Sequence, residues 1–230
     1  MNEEHRTWPL VEVVDPSTTR GLYVIWFQCD KRTDRWYMVH AAHVESGPIS
    51  VMVQSIKAER RFVGREPDLA IMDAKGGAQK VDMEKAEDWF MRFRQLGLDY
   101  VPNDEPATLE ELDEWLKPVW DPVLQKAVPK LMICERVAAM EQGPLWALQR
   151  FQWDPLMTHK ALYCQPGKDF VDCMKYLCNQ KSVNRLRKSG DARRVRVKVR
   201  QRHAKLVASY GFGGSPRSRS GVLWGPPRMR

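Results

Sequence analysis

Four aspartates carry the chemistry this sequence can offer. Asp15 closes the apolar run "PLVEVVD", and Asp73 follows the apolar run Leu69 to Met72 in "PDLAIMDAKGGAQ". Asp169 and Asp172 stand three apart in "KDFVDCMKYLCNQ", a spacing that puts both on one face of a helix. Each acid has a purely structural role open to it. Asp15 before Pro16 can start a turn, and Asp73 can cap the loop that follows it. Asp169 suits the first turn of a helix, where the dipole favours a negative charge, and Asp172 can be a solvated acid. Together they point elsewhere. Carboxylates brought to one place repel each other unless divalent cations hold them. Oxygen donors with little His or Cys suit hard ions such as Mg2+ or Mn2+. Two such ions about 4 Å apart activate a water and steady the leaving oxygen in phosphodiester hydrolysis.

The acids meet only if the right elements position them. "PLVEVVD" is short and apolar, and "GLYVIWFQCD" and "RWYMVHAAHV" are rich in aromatic and β-branched residues, the composition of strands. Short turns, "DPSTTRG" and "KRTD", join the three, so they are antiparallel. Helical spacing then appears in "ISVMVQSIKAERRF". Leu69–Met72 reads as a fourth strand. In "DMEKAEDWFMRFRQLG" the stripe Met83, Ala86, Phe90, Phe93 and Leu96 predicts a helix that Gly97 stops. "LDYVP" reads as a fifth strand, and "PKLMIC" as a further strand or extended edge. Thr108 and Glu111 form a capping-box pattern before "LEELDEWLK", which Pro118 ends. "ERVAAMEQGPLWALQRF" is helical with a break at Gly143–Pro144. The expectation is a mixed α/β sheet of five strands flanked by helices. If its first and fourth strands are neighbours, Asp15 and Asp73 lie side by side, and the late helix can lower Asp169 and Asp172 onto them.

Charge divides the chain in two. Residues 181–230 hold fifteen Lys and Arg against the single acid Asp191, and the net charge of the whole is +8. The body is therefore acidic and the C-terminal extension strongly basic, a pattern that suits a polyanionic partner such as nucleic acid. Within the extension "RRVRVKVR" alternates, placing Arg194, Arg196, Lys198 and Arg200 on one side of a would-be strand. Lys75, beside Asp73, can reach a phosphate or simply face solvent. The expected division is 1–180 for the acidic domain and 181–230 for a partly flexible, DNA-contacting extension. Five cysteines without a CxxC pair predict reduced thiols, and His40 and His43 fall on opposite faces of a strand, which argues against zinc. No apolar run approaches the roughly 20 residues of a membrane span. The N-terminus "MNEEHRTWPL" lacks the pattern of a signal peptide, so a soluble protein of the cytoplasm is expected.

The order and intervals of these motifs resemble the RNase H-like nuclease superfamily, and within it the C-terminal nuclease domain of phage and herpesvirus-type terminase large subunits. "VVDPSTTRGLYVIWF" is similar to that domain's opening strand with its Asp. "LAIMDAKGGAQ" is similar to its second acidic motif. "PKLMICERVAAMEQGPLWALQRFQWDP" followed by "KDFVDCMKYL" is similar to its closing region. The likeness covers residues 9 to 180. It implies a metal-dependent endonuclease that cuts concatemeric viral DNA during genome packaging in a bacterial host. Asp15, Asp73 and Asp169 would hold two Mg2+ or Mn2+ ions, with Asp172 competing with Asp169 or adding to it. It further implies double-stranded DNA as substrate, and an ATPase domain, a small terminase subunit and a portal as partners. The chain has no GxxxxGK[ST] motif, so ATP-driven translocation is not assigned to it. Two other readings stay open: a non-catalytic DNA-binding or assembly module, and a RuvC-like junction resolvase.

Overall fold

The computed structural model describes residues 7–17, 19–82, 87–103, 108–122, 124–153, 161–162, 167–179 and 183. Strands β1 (Leu10–Ser17), β2 (Gly21–Asp30) and β3 (Arg35–Val44) form the expected antiparallel meander. Helix α1 (Ile49–Val63) then carries the chain back to β4 (Leu69–Met72), which pairs parallel with β1. The one-turn helix α2 (Ala74–Gly77) and helix α3 (Trp89–Gln95) precede β5 (Val101–Pro102), parallel to β4. Helix α4 (Leu109–Leu116) leads toward β6 (Leu131–Ile133), the apolar run of "PKLMIC", which joins the far edge parallel to β3. The strand order is thus β6-β3-β2-β1-β4-β5. Helices α5 (Glu135–Ala138), α6 (Pro144–Arg150) and α7 (Lys168–Asn179) follow, the first two separated at the Gly143–Pro144 break. Among the described residues no helix is long and apolar enough to cross a membrane.

Alternation along the strands sorts the core into two layers. Val11, Val13, Tyr23, Ile25, Leu69 and Ile71 pack on one face with Phe170, Met174 and Leu177 of α7 and Leu112 of α4. Leu10, Val14, Trp26, Ala70 and Met72 pack on the other with Met52, Val53 and Ile56 of α1 and Phe90 and Phe93 of α3. His40 and His43 obey the same rule. His40 stacks on Trp26 and contacts Glu59 of α1, while His43 stacks on Tyr23. Cys29, Cys134, Cys173 and Cys178 are free thiols, and all but Cys134 are buried.

Among the described residues the sheet has six strands rather than the expected five, because Leu131–Ile133 adds a full edge strand beside β3, and two further expectations need correction. The helix expected from Asp82 is shorter. Lys80–Asp82 pairs with Glu87–Asp88 as a small antiparallel ribbon, and α3 begins only at Trp89. The reason is a cap: the Asp88 carboxylate accepts a hydrogen bond from the Met91 N–H at 2.7 Å, which satisfies a first-turn donor and fixes the start there. Phe90 and Phe93 of the expected stripe are buried, whereas Met83 and Ala86 lie outside the described residues. The second correction concerns β1, which does not end at Asp15 but continues through Pro16 to Ser17. In the register of the sheet Val14 opposes Met72, the last residue of β4, so Pro16 lies where that side of β1 has no ladder to feed. A proline is tolerated at such an edge. The Thr108 hydroxyl meets the Glu111 carboxylate at 3.3 Å but caps no backbone N–H.

Even-numbered Glu12 points to the α1 side and is fully buried. Its carboxylate accepts hydrogen bonds from Arg60 Nε at 2.7 Å and Nη2 at 2.8 Å, from Trp26 Nε1 at 2.8 Å and from the Tyr100 hydroxyl. Burial alone would pull the Arg60 guanidinium down, but the hydrogen bonds and charge of Glu12 outweigh it and hold the group above its usual value. The pair clamps α1 to the centre of the sheet. Arg60→Ala strands a buried carboxylate and should cost about 3–5 kcal/mol of unfolding free energy. Adding Glu12→Gln should recover part of that loss. Urea denaturation of the single and double variants checks both.

Candidate metal centre

The parallel β1–β4 pairing sets the site. Because Val14 opposes Met72, the next residues along, Asp15 and Asp73, emerge at the same end of the sheet. Both have the odd parity of the α7 face. The chain leaving β4 turns at once. Asp73 N–H donates to the Val14 carbonyl at 3.2 Å, and the Asp73 carboxylate accepts from the Gly76 N–H at 2.5 Å as the N-cap of α2. Asn103, just past β5, ties down the same turn. Its side-chain oxygen accepts from the Ala74 N–H at 2.7 Å, and its own N–H donates to the Met72 carbonyl at 3.0 Å. The two glycines of α2 are there for room. A Cβ on Gly76 would lie 3.1 Å from Pro16 Cγ, and one on Gly77 would lie 2.3 Å from the Phe90 ring.

Helix α7 supplies the other acids. Gly167, with φ +123°, turns the chain into it in a conformation that favours glycine. Phe170, Met174 and Leu177 seat the helix on the sheet, and the Cys173 thiol reaches the Tyr23 carbonyl at 3.4 Å. This leaves Asp169 and Asp172, one turn apart, facing Asp15. The three carboxylates offer oxygens that all lie within 4.8 Å of one another. They are 8%, 1% and 5% exposed. Asp73 stands outside that group, half-buried at its rim. The structure therefore brings Asp15, Asp169 and Asp172 together and leaves Asp73 adjacent, capping α2.

Three basic side chains reach into the cluster. Arg20 Nη1 lies 3.0 Å from Asp169 Oδ2, Lys168 Nζ lies 3.0 Å from Asp172 Oδ2, and Lys175 Nζ lies 2.7 Å from Asp172 Oδ1. Even so, burial pushes the Asp15 carboxyl well above the ordinary range, and the charges of Asp172, Asp169 and Asp73 add to the push. Asp169 is raised chiefly by burial, with Arg20 and Lys168 pulling back. Tyr176, on the same helix, is pushed up by burial and then by the charges of Asp15, Asp73 and Asp172. Asp169 Oδ2 is a buried atom with no hydrogen-bond donor in good geometry. Hard oxygen donors, close packing of like charges and burial all fit a divalent cation of the Mg2+ or Mn2+ kind.

At the level of sequence, no family model and no curated protein matches this chain. Its shape is another matter. The P22 large terminase nuclease domain superposes with a TM-score of 0.52 over 82% of this chain and 90% of that one, at 12% identity. The fold is that of a phage large-terminase nuclease domain. The large terminase of a thermophilic bacteriophage, in complex with ATP-gamma-S, gives a TM-score of 0.50 and 11% identity over 75% of this chain. The chain spans about two fifths of the length of that second phage protein, 40% of it.

On this terminase-nuclease fold, Lys75 is exposed in α2, one residue past the start of the helix that Asp73 caps. Arg194, Arg196, Lys198 and Arg200 lie outside the described residues. Sequence reading missed the basic partners of the cluster. Lys168 and Lys175 carried a usable signal, since they sit four before and three after Asp172, on its helix face. Arg20 and Asn103 carried none, because turns bring them in. Asp15→Asn removes one buried charge. In EDTA it should be about 0.5–2 kcal/mol more stable than wild type. Mn2+ should raise the melting temperature of wild type and leave that of Asp15→Asn nearly unchanged. Thermal unfolding of both proteins with and without the ion checks this.

Proposed function

We propose that this chain is the nuclease unit of a viral DNA-packaging motor, a divalent-metal-dependent endonuclease that cuts concatemeric double-stranded DNA. One observation carries the reading: three buried carboxylates within 4.8 Å of one another, at the strand end of a terminase-nuclease fold. Asp15, Asp169 and Asp172, with Asp73 from the neighbouring strand, would hold two Mg2+ or Mn2+ ions. Bound there, such ions lower the pKa of a water and stabilise the leaving oxygen. The protein's own share is placement. β1 and α7 are locked by packing on both sides, so the ligands are presented on rigid elements, as a catalytic constellation requires.

The DNA is held by other parts. Lys75 stands exposed beside the site and is assigned to a phosphate. Residues 181–230, with Arg194, Arg196, Lys198 and Arg200, are assigned to the DNA backbone as an extension separate from the nuclease domain of residues 1–180. Such contacts position the duplex without reading its sequence. An ATPase domain, a small terminase subunit and a portal complete the proposed motor, which works in the cytoplasm of the host.

Plasmid nicking tests the proposal. The purified chain should nick supercoiled DNA with Mn2+ or Mg2+ and stop in EDTA. Asp15→Ala and Asp172→Ala should each lower the rate about 100-fold or more, at or beyond what loss of a metal's supporting shell costs. Removal of residues 181–230 should leave metal-dependent cleavage, weaken DNA binding and flatten its dependence on salt. Wild type that cleaves no faster than the two alanine variants would rule out the catalytic reading.

A further inference from the structure

Both oxygens of Asp172 are engaged by ammonium groups of its own helix, Lys168 at 3.0 Å and Lys175 at 2.7 Å. On a solvent-facing helix such pairs are ordinary and worth little. Here they face inward. The Asp172 side chain is 6% exposed and that of Lys175 10%. Arg20 approaches Asp169 in the same way, at Oδ2. A divalent ion on this cluster needs those same oxygens. Cation and ammonium therefore compete for one set of donors, and a bound divalent ion repels the basic side chains that hold those oxygens.

A lysine released from Asp172 keeps its charge, and its flexible stem leaves its three donors free to rotate. In a site that cleaves DNA, the group that draws it is the phosphodiester. We propose that Lys168, Lys175 and Arg20 are internal counterions that hold the carboxylates while metal is absent and pass to the DNA phosphates when metal and DNA arrive together. This rests on the nuclease reading above. It makes metal binding and DNA binding mutually reinforcing. Phosphate draws the basic groups off the acids, metal frees them for phosphate, and by linkage each ligand strengthens the other by the same factor.

Titration calorimetry of the full chain with Mn2+, alone and with a short phosphorothioate duplex, tests the exchange. In wild type the duplex should tighten Mn2+ binding roughly fivefold or more, the lower end of ordinary coupling. Lys175→Met and Lys168→Gln should each bind Mn2+ more tightly than wild type without DNA. They should also lose most of the gain on adding DNA, which mere removal of a nearby positive charge would leave intact. Lys168 is the more exposed of the two, so Lys168→Gln decides if Lys175→Met does not fold. Variants that bind Mn2+ no tighter than wild type, or that keep the full gain with DNA, overturn the exchange and leave the nuclease reading standing. A wild type that binds no Mn2+ under either condition overturns both.

Discussion

Strand β1 is buried on both faces and yet carries two carboxylates, and the rest of the molecule is arranged around that constraint. Alternation sends Glu12 to the α1 side and Asp15 to the α7 side. The two solve the cost of burial in opposite ways. Glu12 is saturated with donors from Arg60, Trp26 and Tyr100 and acts as a clamp. Asp15 is met by further acids, and its carboxyl is pushed up by burial and by them. A satisfied buried charge holds a fold together. A buried charge crowded by like charges creates a demand that a cation can meet, and the second half of the chain is built to present that demand at one end of the sheet.

Much of this was legible in the sequence, for identifiable reasons. Strands Gly21–Asp30 and Arg35–Val44 are long aromatic and β-branched runs bounded by turn residues, so pattern alone located them. Leu69–Met72 was legible as an apolar run too short for a helix. The shared face of Asp169 and Asp172 followed from a spacing of three. What pattern could not supply was partnership. Glu12 looks like a misplaced acid until Arg60, far along the chain, is known to lie against it. Asp73 reads as a cap when taken alone and as a metal ligand when taken with the other acids, and side-chain geometry gives it the capping hydrogen bond of α2 beside the cluster. The overlong helix before Trp89 shows a local competition, in which one Asp88 cap outweighed a plausible apolar stripe.

The likeness in shape and the unlikeness in sequence are compatible. A sheet of this topology demands apolar alternation along its strands and a parallel crossover, and many sequences meet those demands. The acids ask more, because their positions are tied to strand ends and to one helix face. Shape therefore argues for the scaffold, whereas the convergence of Asp15, Asp169 and Asp172 argues for chemistry.

Helix α7 also governs timing. It is anchored to the first hairpin by contacts such as Cys173 to Tyr23, 150 residues apart, and such long-range closures are slow to form. During synthesis the sheet strands emerge well before α7 does, and the acids stay in separate pieces until it docks. A nascent or half-folded chain thus holds no complete cluster. On the proposed function, hydrolytic potential would arise only once the domain has closed, which would spare a cell's nucleic acid while the chain is still being made.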